Sequence, residues 1–183
     1  MEFGHYTAQA ATTAAALVNA LPAGGFAVGP ADLLPAGALP PDAPARLTDL
    51  ARRLRRVFSA ADEADATSAI NDLLRDQPVE PHLSRHDGKP PHLHFAPDDA
   101  DPVTRVSCNT AMAVATIAGE HGHHRLCVCA APGCDRAFVD TSRNGRRRFC
   151  SPACANRSHV QAHRQRVTAR MEGDIPSRAD RLE

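Results

Sequence analysis

The spacing of the cysteines constrains this chain more than any other feature of its sequence. Five of the six cysteines lie between positions 127 and 154, and four of them form two close pairs, Cys129-x4-Cys134 and Cys150-x3-Cys154, with fifteen residues between the pairs. Each pair can hold one edge of a tetrahedral ion while the intervening segment folds over it. Four thiolates fill the coordination sphere of zinc, so the spacing predicts one structural zinc ion and no open position for catalysis. Zinc binding would then supply folding energy to a segment that has few apolar residues.

Other ligand sets remain open from the sequence alone. Cys127 lies two residues before Cys129 and could shift the set, and His123 or His124 could replace a thiol. The pairing above keeps the short spacing that is typical of structural sites. The N-terminus carries no basic segment followed by an apolar stretch, and no segment is long enough to span a membrane. We therefore expect a cytoplasmic protein whose cysteines bind metal and form no disulfides.

The residues around the second pair predict how it is presented. Ser151 followed by Pro152 is typical of a helix N-cap followed by proline at the first helical position. Cys154 then falls in the first turn of a helix, where backbone N–H groups and the helix dipole favour a thiolate. A turn with two cysteines, a hairpin and such a helix form a treble-clef-like zinc finger.

The charge is distributed unevenly along the chain. Residues 1–124 carry nine Lys+Arg and fifteen Asp+Glu, residues 125–170 carry ten Arg and two Asp, and residues 171–183 carry two Arg and four acidic residues. We therefore divide the chain into an acidic domain over 1–124, a basic zinc finger over 125–170 and a flexible tail over 171–183. A basic module on an acidic body favours a polyanionic partner for the module.

The fold class expected is α+β, with a mostly helical N-terminal domain that includes a small β-hairpin. Helices are predicted over Thr7–Ala20, along the apolar stripe from Leu47 to Phe58, over Ala64–Asp76 and from Pro102 to Gly119, the last capped by Asp99 and Asp101. A hairpin is predicted around Asp87-Gly88, and Gly24–Pro44 is predicted to be a loop with a short turn near Asp32–Leu34. Four arginines on the second helix, between positions 52 and 56, could bind nucleic acid, but a solvated helix face also explains them.

The C-terminal module resembles a known family. The motifs that carry the resemblance are Cys129-Ala-Ala-Pro-Gly-Cys134, Phe138-Val-Asp140-Thr-Ser142-Arg143-Asn144, Arg147-Arg148-Phe149-Cys150-Ser151 and Cys154-Ala-Asn156-Arg157. Over residues 125–168 they are similar to the CGNR-type zinc finger found in bacterial proteins described as stress-induced transcription regulators. The chain departs from the family pattern at Ala155, where glycine is expected, and at Phe149, where tryptophan is usual.

The N-terminal part resembles the ABATE-like domain that accompanies this finger and is proposed to sense a ligand. The residues that carry this resemblance are Ala16-Leu17-Val18-Asn19 and His92-Leu-His-Phe95. Ala16 stands where the family has aspartate. The resemblance implies a regulator in which the N-terminal domain binds a small molecule and the finger binds double-stranded DNA. A homodimer would increase the affinity of so small a finger, although no heptad seam demands one.

The arginines of the module are the candidate DNA contacts. They are Arg143, Arg146, Arg147 and Arg148 before Cys150, and Arg157 and Arg164 on the following helix. Arginine suits phosphate oxygens and the guanine edge in the major groove. The alternatives are that these arginines solvate the finger, dock it on the acidic body, or bind an acidic surface of a protein partner.

Three histidines of the predicted hairpin, His82, His92 and His94, form a second candidate site. They could hold a second metal ion, line a ligand pocket or serve as partly buried structural residues, and no nearby carboxylate or cysteine completes a ligand set. Asp98 and its neighbours beside these histidines raise the alternative of a hydrolase. The sequence has no nucleophile motif, phosphate loop or open metal site, so we expect no enzymatic activity and assign no catalytic residue.

Overall fold

The computed structural model describes residues 5–21, 39–85, 88 and 90–173. Its five helices are α1 (His5–Ala20), α2 (Ala43–Phe58), α3 (Glu63–Arg75), α4 (Pro102–His121) and α5 (Pro152–Gly173), and a 3₁₀ turn covers His123–Arg125. Two antiparallel hairpins are formed by β1 (His82–Ser84) with β2 (His92–His94), and by β3 (Leu126–Val128) with β4 (Ala137–Val139). This confirms the predicted fold class. The predicted turn near Asp32–Leu34, Asp87 and the tail beyond Gly173 lie outside the described residues.

Helices α1 to α4 enclose an aliphatic core. Leu17 of α1, Leu54 of α2, Leu73 of α3 and Ile117 of α4 are all fully buried in one apolar cluster. Each comes from the apolar stripe of its helix, and a stripe of this kind is stable only against another element. The charged residues therefore remain on the outer faces. On α2, two of the four arginines form ion pairs within the helical body. Arg53 pairs with Asp49 of α2 and with Asp76 after α3, and Arg56 pairs with Asp72 of α3. This supports in part the interpretation of these arginines as a solvated helix face.

Side-chain caps fix the start of two of these helices. Asp101 accepts hydrogen bonds from the backbone N–H groups of Val103 (2.8 Å) and Thr104 (3.1 Å) at the N-terminus of α4. Burial acts to raise the pKa of Asp101, but hydrogen bonds from Thr104, Arg46 and Val103 outweigh it and lower the pKa to about 2. Of the two aspartates predicted to cap α4, it is Asp101 that makes the cap bonds. Asp62 caps α3 in the same way, through the N–H of Asp65 at 2.9 Å.

The second hairpin, β3–β4, packs directly on the helical body. Leu126 and Ala137 are buried and belong to the same apolar cluster as α1 to α4. The side chain of Asn19 at the end of α1 forms two hydrogen bonds with the backbone of Ala137. Arg55 of α2 donates to the carbonyls of Asp135 and Val18 and so bridges the hairpin and α1. The zinc finger is therefore built onto the helical core.

Among the described helices, none combines the length and the apolar character required to cross a bilayer.

Candidate metal centre

Four elements bring the two cysteine pairs together. Cys129 follows β3, Cys134 lies in the turn that leads to β4, Cys150 precedes α5, and Cys154 lies in its first turn. The four Sγ atoms all lie within 4.8 Å of one another. The turn between the first two cysteines requires Gly133, whose φ of +69° is favourable only for glycine. The four predicted ligands therefore meet in one cluster.

The sulfur–sulfur distances fit a tetrahedral zinc site. The Sγ atom of Cys150 lies 3.9 Å from that of Cys134 and 3.7 Å from that of Cys154. Zinc–sulfur bonds of about 2.3 Å place neighbouring sulfurs of a tetrahedron about 3.8 Å apart. A disulfide would need about 2.05 Å, and all six cysteines are free. The donor set is thus suited to a single ion with no remaining coordination position.

Hydrogen bonds to sulfur favour the charged form of Cys129, whereas burial and the neighbouring thiols raise the pKa of Cys150 to about 12. The backbone N–H of Cys150 donates to Sγ of Cys129 at 3.4 Å, and the guanidinium of Arg157 donates to Sγ of Cys154 at 3.5 Å. Burial acts to raise the pKa of Cys129, but backbone N–H groups of Cys150 and Ala131 and the neighbouring thiols lower it to about 7. A thiol that is already partly ionised near neutral pH binds zinc at a small proton cost.

The start of α5 follows the prediction. The backbone N–H of Cys154 donates to the hydroxyl of Ser151 at 3.2 Å, and the helix begins at Pro152. This N-cap holds Cys154 in the first turn, where the N–H groups of the helix end face the sulfur cluster. The sequence therefore determined both the position and the orientation of the fourth ligand.

Cys127 has a different environment from the four clustered cysteines. Its thiol donates a hydrogen bond to the carbonyl of His124 at 2.9 Å. Burial, followed by the nearby charge of Asp140, raises the pKa of Cys127 to about 11, which keeps it protonated. Within the described chain, the four-cysteine cluster is the one group of three or more potential ligand side chains with all ligand atoms this close. The alternative ligand sets with Cys127, His123 or His124 are therefore not the ones the fold assembles.

A buried pair, Arg125 and Asp140, shapes the loop between β4 and α5. Arg125 is 5% exposed and donates to the carbonyls of Asp140 (3.1 Å) and Ser142 (2.5 Å). The fully buried carboxylate of Asp140 accepts from the backbone N–H groups of Ser142 and Arg147, both at 2.8 Å. Burial opposes ionisation of Asp140, but these hydrogen bonds and Arg125 lower its pKa. We did not predict this pair from the sequence. The spacing Asp140-x-Ser142 is nevertheless typical of an aspartate whose side chain accepts a hydrogen bond from the backbone N–H two residues later.

Gly145 completes this loop. Its φ is +62°, and a Cβ atom there would lie 3.0 Å from Cζ of Arg125 and 3.0 Å from Nε2 of His124. A side chain at this position would be strained by the backbone and would collide with a buried guanidinium. The backbone of the arginine-rich loop is therefore held by its close contacts with the side chains of Arg125 and His124.

The six predicted DNA-contacting arginines, Arg143, Arg146, Arg147, Arg148, Arg157 and Arg164, are all exposed. They differ in the contacts that their side chains make. Arg147 donates to the carbonyls of Phe149 (2.9 Å) and Cys150, and its guanidinium lies 5.3 Å from the ring centre of Phe138. Its side chain thus braces the loop against the zinc cluster. Arg157 contacts Cys154, as described above, and Arg148 lies over Phe149.

Among the described residues, no hydrogen bond or ion pair involves the side chain of Arg143, Arg146 or Arg164. Helix α5 carries Arg164 on a stretch in which every residue from 159 to 168 is exposed. A long helix with no covered face is unusual, because helical stability in proteins comes mainly from packing. This part of α5 therefore presents its side chains outward.

The three histidines of the first hairpin lie side by side, with ring centroids 5.6 Å apart for His82 and His94 and 4.9 Å apart for His92 and His94. His82 and His94 are cross-strand partners, and Nε2 of His82 lies 3.0 Å from Oδ1 of Asp98. The turn before α4 brings the carboxylate of Asp98 to His82, but among the described residues these side chains do not complete a cluster of three or more metal ligands. His92 and His94 instead approach each other, with their Nε2 atoms 3.0 Å apart, and both line a cleft against α1 and α4.

Taken together, four buried or half-buried thiols at tetrahedral spacing define a closed, structural zinc centre in a small finger. Comparison with known protein families agrees, since residues 125–167 match the CGNR zinc finger. The site holds one zinc ion, as the cysteine spacing predicted. A search of curated proteins found no match to this chain.

Proposed function

We propose that the zinc finger binds double-stranded DNA and that the protein is a transcription regulator. The observation that supports this most strongly is a set of three exposed arginines of the finger, Arg143, Arg146 and Arg164, which we call the arginine face. Its three guanidinium groups have no ion-pair partner among the described residues, and they stand on a frame fixed by zinc and by the buried Arg125–Asp140 pair. Guanidinium groups that are exposed, rigidly mounted and unneutralised are suited to phosphate oxygens.

The elements of the arginine face have complementary roles in this proposal. Helix α5 is exposed along residues 159–168 and is narrow enough to enter a major groove, where Arg164 would reach base edges. Arg143 and Arg146 on the preceding loop would contact the phosphate backbone and set the register. Zinc, when bound, ties the loop and the start of α5 together. Arg147 and Arg157 support the frame, so their removal would act through the fold of the finger.

A protein partner is the second candidate, and one observation favours it. Val160 and Val167 are 50% and 43% exposed and lie seven residues apart on α5, so they share one face of the helix. Exposed apolar residues at this spacing are typical of helices that pair with another helix. Under this alternative the finger would bind a partner protein or a second copy of the chain, and the arginines would set its charge complementarity.

For the N-terminal part we propose a ligand-sensing role, in keeping with its resemblance to the ABATE-like domain. We propose no catalytic role for the finger, because four cysteine ligands leave zinc without a position for substrate.

The test is fluorescence anisotropy of a labelled duplex titrated with zinc-loaded protein across a salt series. We expect binding, with a slope of log K against log salt that corresponds to about −0.9 per phosphate contact. The variant Arg143→Gln/Arg146→Gln should reduce this slope. The matched control is Arg52→Gln/Arg85→Gln, which removes the same charge from exposed positions outside the finger.

Equal affinities for the two double variants would argue against the arginine face. Absence of binding by the wild type at low salt would remove the DNA proposal and leave the protein-partner alternative. In that case Val160→Ser/Val167→Ser should abolish capture of the partner or self-association measured by analytical ultracentrifugation.

A further inference from the structure

A cleft of about 360 Å³ opens between α1, β2 and α4, on the helical body and away from the zinc cluster. Small-molecule sites commonly have volumes of about 300–1,000 Å³. Its walls combine apolar side chains with a few polar groups. The apolar walls include Ala10, Phe95, Val106, Met112 and Ala113, and the polar groups include Thr13, His92, His94, Arg105, Asn109 and Thr116. This mixture is typical of a pocket for a small organic molecule.

Apart from the phenol of Tyr6, the ionisable side chains of this cleft are all bases. Arg105, His92 and His94 line it, and no aspartate or glutamate is among its described lining residues. Arg105 donates to the backbone carbonyls of Ala100 (3.0 Å) and Asp98 (3.4 Å). The carboxylate of Asp98 lies instead beside His82. Arg105 therefore brings a positive charge to the cleft that no described carboxylate neutralises.

The two histidines are hydrogen-bonded to each other and, through His92, to the backbone, so they are not arranged as an open metal pair. Nδ1 of His92 lies 2.9 Å from the carbonyl of Pro90, which requires an N–H on that nitrogen. In the neutral ring, Nε2 of His92 then accepts, and Nε2–H of His94 donates to it across 3.0 Å. The ring of Tyr6 stacks on His92 with centroids 4.2 Å apart and closes this side of the cleft. With no thiol or carboxylate in the lining, the site is poorly suited to a metal cation.

We propose that this cleft binds a small organic carboxylate, with Arg105 as the partner of the carboxylate and the apolar walls around its hydrocarbon part. Arginine holds a carboxylate through charge-assisted hydrogen bonds, which are about twice as strong as neutral ones. Asn109 and Thr116, one and three turns along α4 from Arg105, supply further polar contacts on the same helix. This inference deepens the ligand-sensing role proposed above and rests on it.

The cleft is connected to the finger through the two helices that form it. Helix α1 contributes Thr13 to the cleft and, less than two turns later, Asn19 to the hydrogen bonds with Ala137 of the finger. Helix α4 contributes Thr116 and then leads through the 3₁₀ turn into β3. A ligand that changes the packing of α1 against α4 therefore acts on two of the attachments of the finger. This gives a binding event in the cleft a route to the arginine face.

The experiment measures ligand binding to the full chain by protein-detected NMR and thermal unfolding, without DNA. The probes are benzoate and hexanoate, with benzamide and hexanamide as neutral counterparts of the same shape. We expect the carboxylates to bind and the amides to bind at least tenfold more weakly. Arg105→Gln should weaken carboxylate binding roughly tenfold to a hundredfold and leave the amides unchanged. Arg105→Lys keeps the charge and should retain part of the affinity.

Thr116→Phe provides a second test, because it fills the cleft without changing Arg105 and should abolish binding of every probe. Equal binding of carboxylates and amides would overturn the proposed ligand class. The absence of binding by any probe at millimolar concentration would also overturn the proposal. A second equivalent of bound zinc that is lost in the variant His92→Ala/His94→Ala would overturn it as well. Because DNA is absent, these outcomes do not depend on whether the finger binds DNA. If the carboxylates bind and the DNA titration shows no binding, the proposed ligand class of the cleft is supported, and only its proposed effect on DNA binding is removed.

Discussion

The side-chain amide of Asn19 pairs with the backbone of Ala137 much as a neighbouring β-strand would. Its Nδ2 donates to the carbonyl and its Oδ1 accepts from the N–H of Ala137, both at 2.8 Å. The pair joins the end of α1 to β4 of the finger, across 118 residues of sequence. Strand β4 has a partner strand on one side only, so this contact satisfies two backbone groups at its buried edge. This asparagine is therefore one of the attachments of the finger to the helical body, beside Arg55 and the buried Leu126 and Ala137.

Replacing Asn19 by alanine should destabilise the protein by about 1–3 kcal/mol, because the N–H and carbonyl of Ala137 lose their partners while they stay partly buried. The free energy of unfolding in urea measures the change. Asn71→Ala removes an exposed asparagine from α3 and should change stability by less than about 0.5 kcal/mol. Similar small effects for both variants would show that the Asn19 contact does not attach the finger.

Asp140→Asn should destabilise the finger and lower its affinity for zinc. An amide has one acceptor oxygen, so one of the backbone bonds from Ser142 or Arg147 is lost, at a cost of about 1–3 kcal/mol. Competition with a chromogenic chelator measures the zinc affinity. The control is Asp135→Asn, which removes the same charge from an exposed position of the finger. If the two variants bound zinc equally well, Asp140 would have no part in shaping the loop.

The cap residue Asp101 should make stability depend on acid pH. Its pKa in the folded protein is about 2, below the ordinary 3.8, so its stabilising effect is complete above pH 4 and is lost as the pH falls towards 2. Its side chain is 35% exposed, so solvent screening reduces the effect, to about 1 kcal/mol.

Measuring unfolding free energy at several pH values tests this prediction. Asp101→Asn keeps a cap residue but removes the charge, so its difference from the wild type should shrink between pH 4 and pH 2. Asp99→Asn changes an exposed neighbour and should leave the wild-type pH profile unaltered. A constant difference between Asp101→Asn and the wild type over this range would contradict the prediction.

Serine variants of Cys127 and Cys150 provide a matched comparison for the zinc site, because only Cys150 belongs to the four-cysteine cluster. Cys150→Ser removes a ligand and should abolish stable binding of zinc, whereas Cys127→Ser should retain one equivalent per chain. Structural zinc contributes on the order of 10 kcal/mol to a small finger, so Cys150→Ser should also unfold the β3–β4 and α5 region. Elemental analysis after dialysis and circular dichroism report the two effects. Loss of zinc from Cys127→Ser would instead assign that thiol to the ligand set.

Much of the zinc centre could be predicted because it depends on local sequence. The spacing of Cys129, Cys134, Cys150 and Cys154, and the N-cap at Ser151, involve residues that are close along the chain. Tetrahedral coordination and helix capping impose the same geometry wherever such spacings occur. For the same reason helical periodicity located the helices of the body to within a few residues at most ends.

The roles of individual arginines could not be predicted in this way. Arg147 and Arg143 belong to one basic run, yet Arg147 braces the loop and Arg143 is directed outward. The carboxylate of Asp140 accepts from the N–H of Arg147, a contact within the folded loop that the basic run does not indicate. Arg55 was interpreted as part of a solvated face, but it bonds the carbonyl of Asp135 in the finger.

The sequence by itself determined the helices, the two cysteine pairs and the charge of the finger, because periodicity, short spacing and composition act through neighbouring residues. The tertiary structure decided how the finger is attached through Asn19, which arginines remain unpaired, and that His92, His94 and Arg105 share one cleft. These features require groups distant in the chain to meet at hydrogen-bonding distance. Only the packing of α1 against α4 and of β3–β4 against both brings them there.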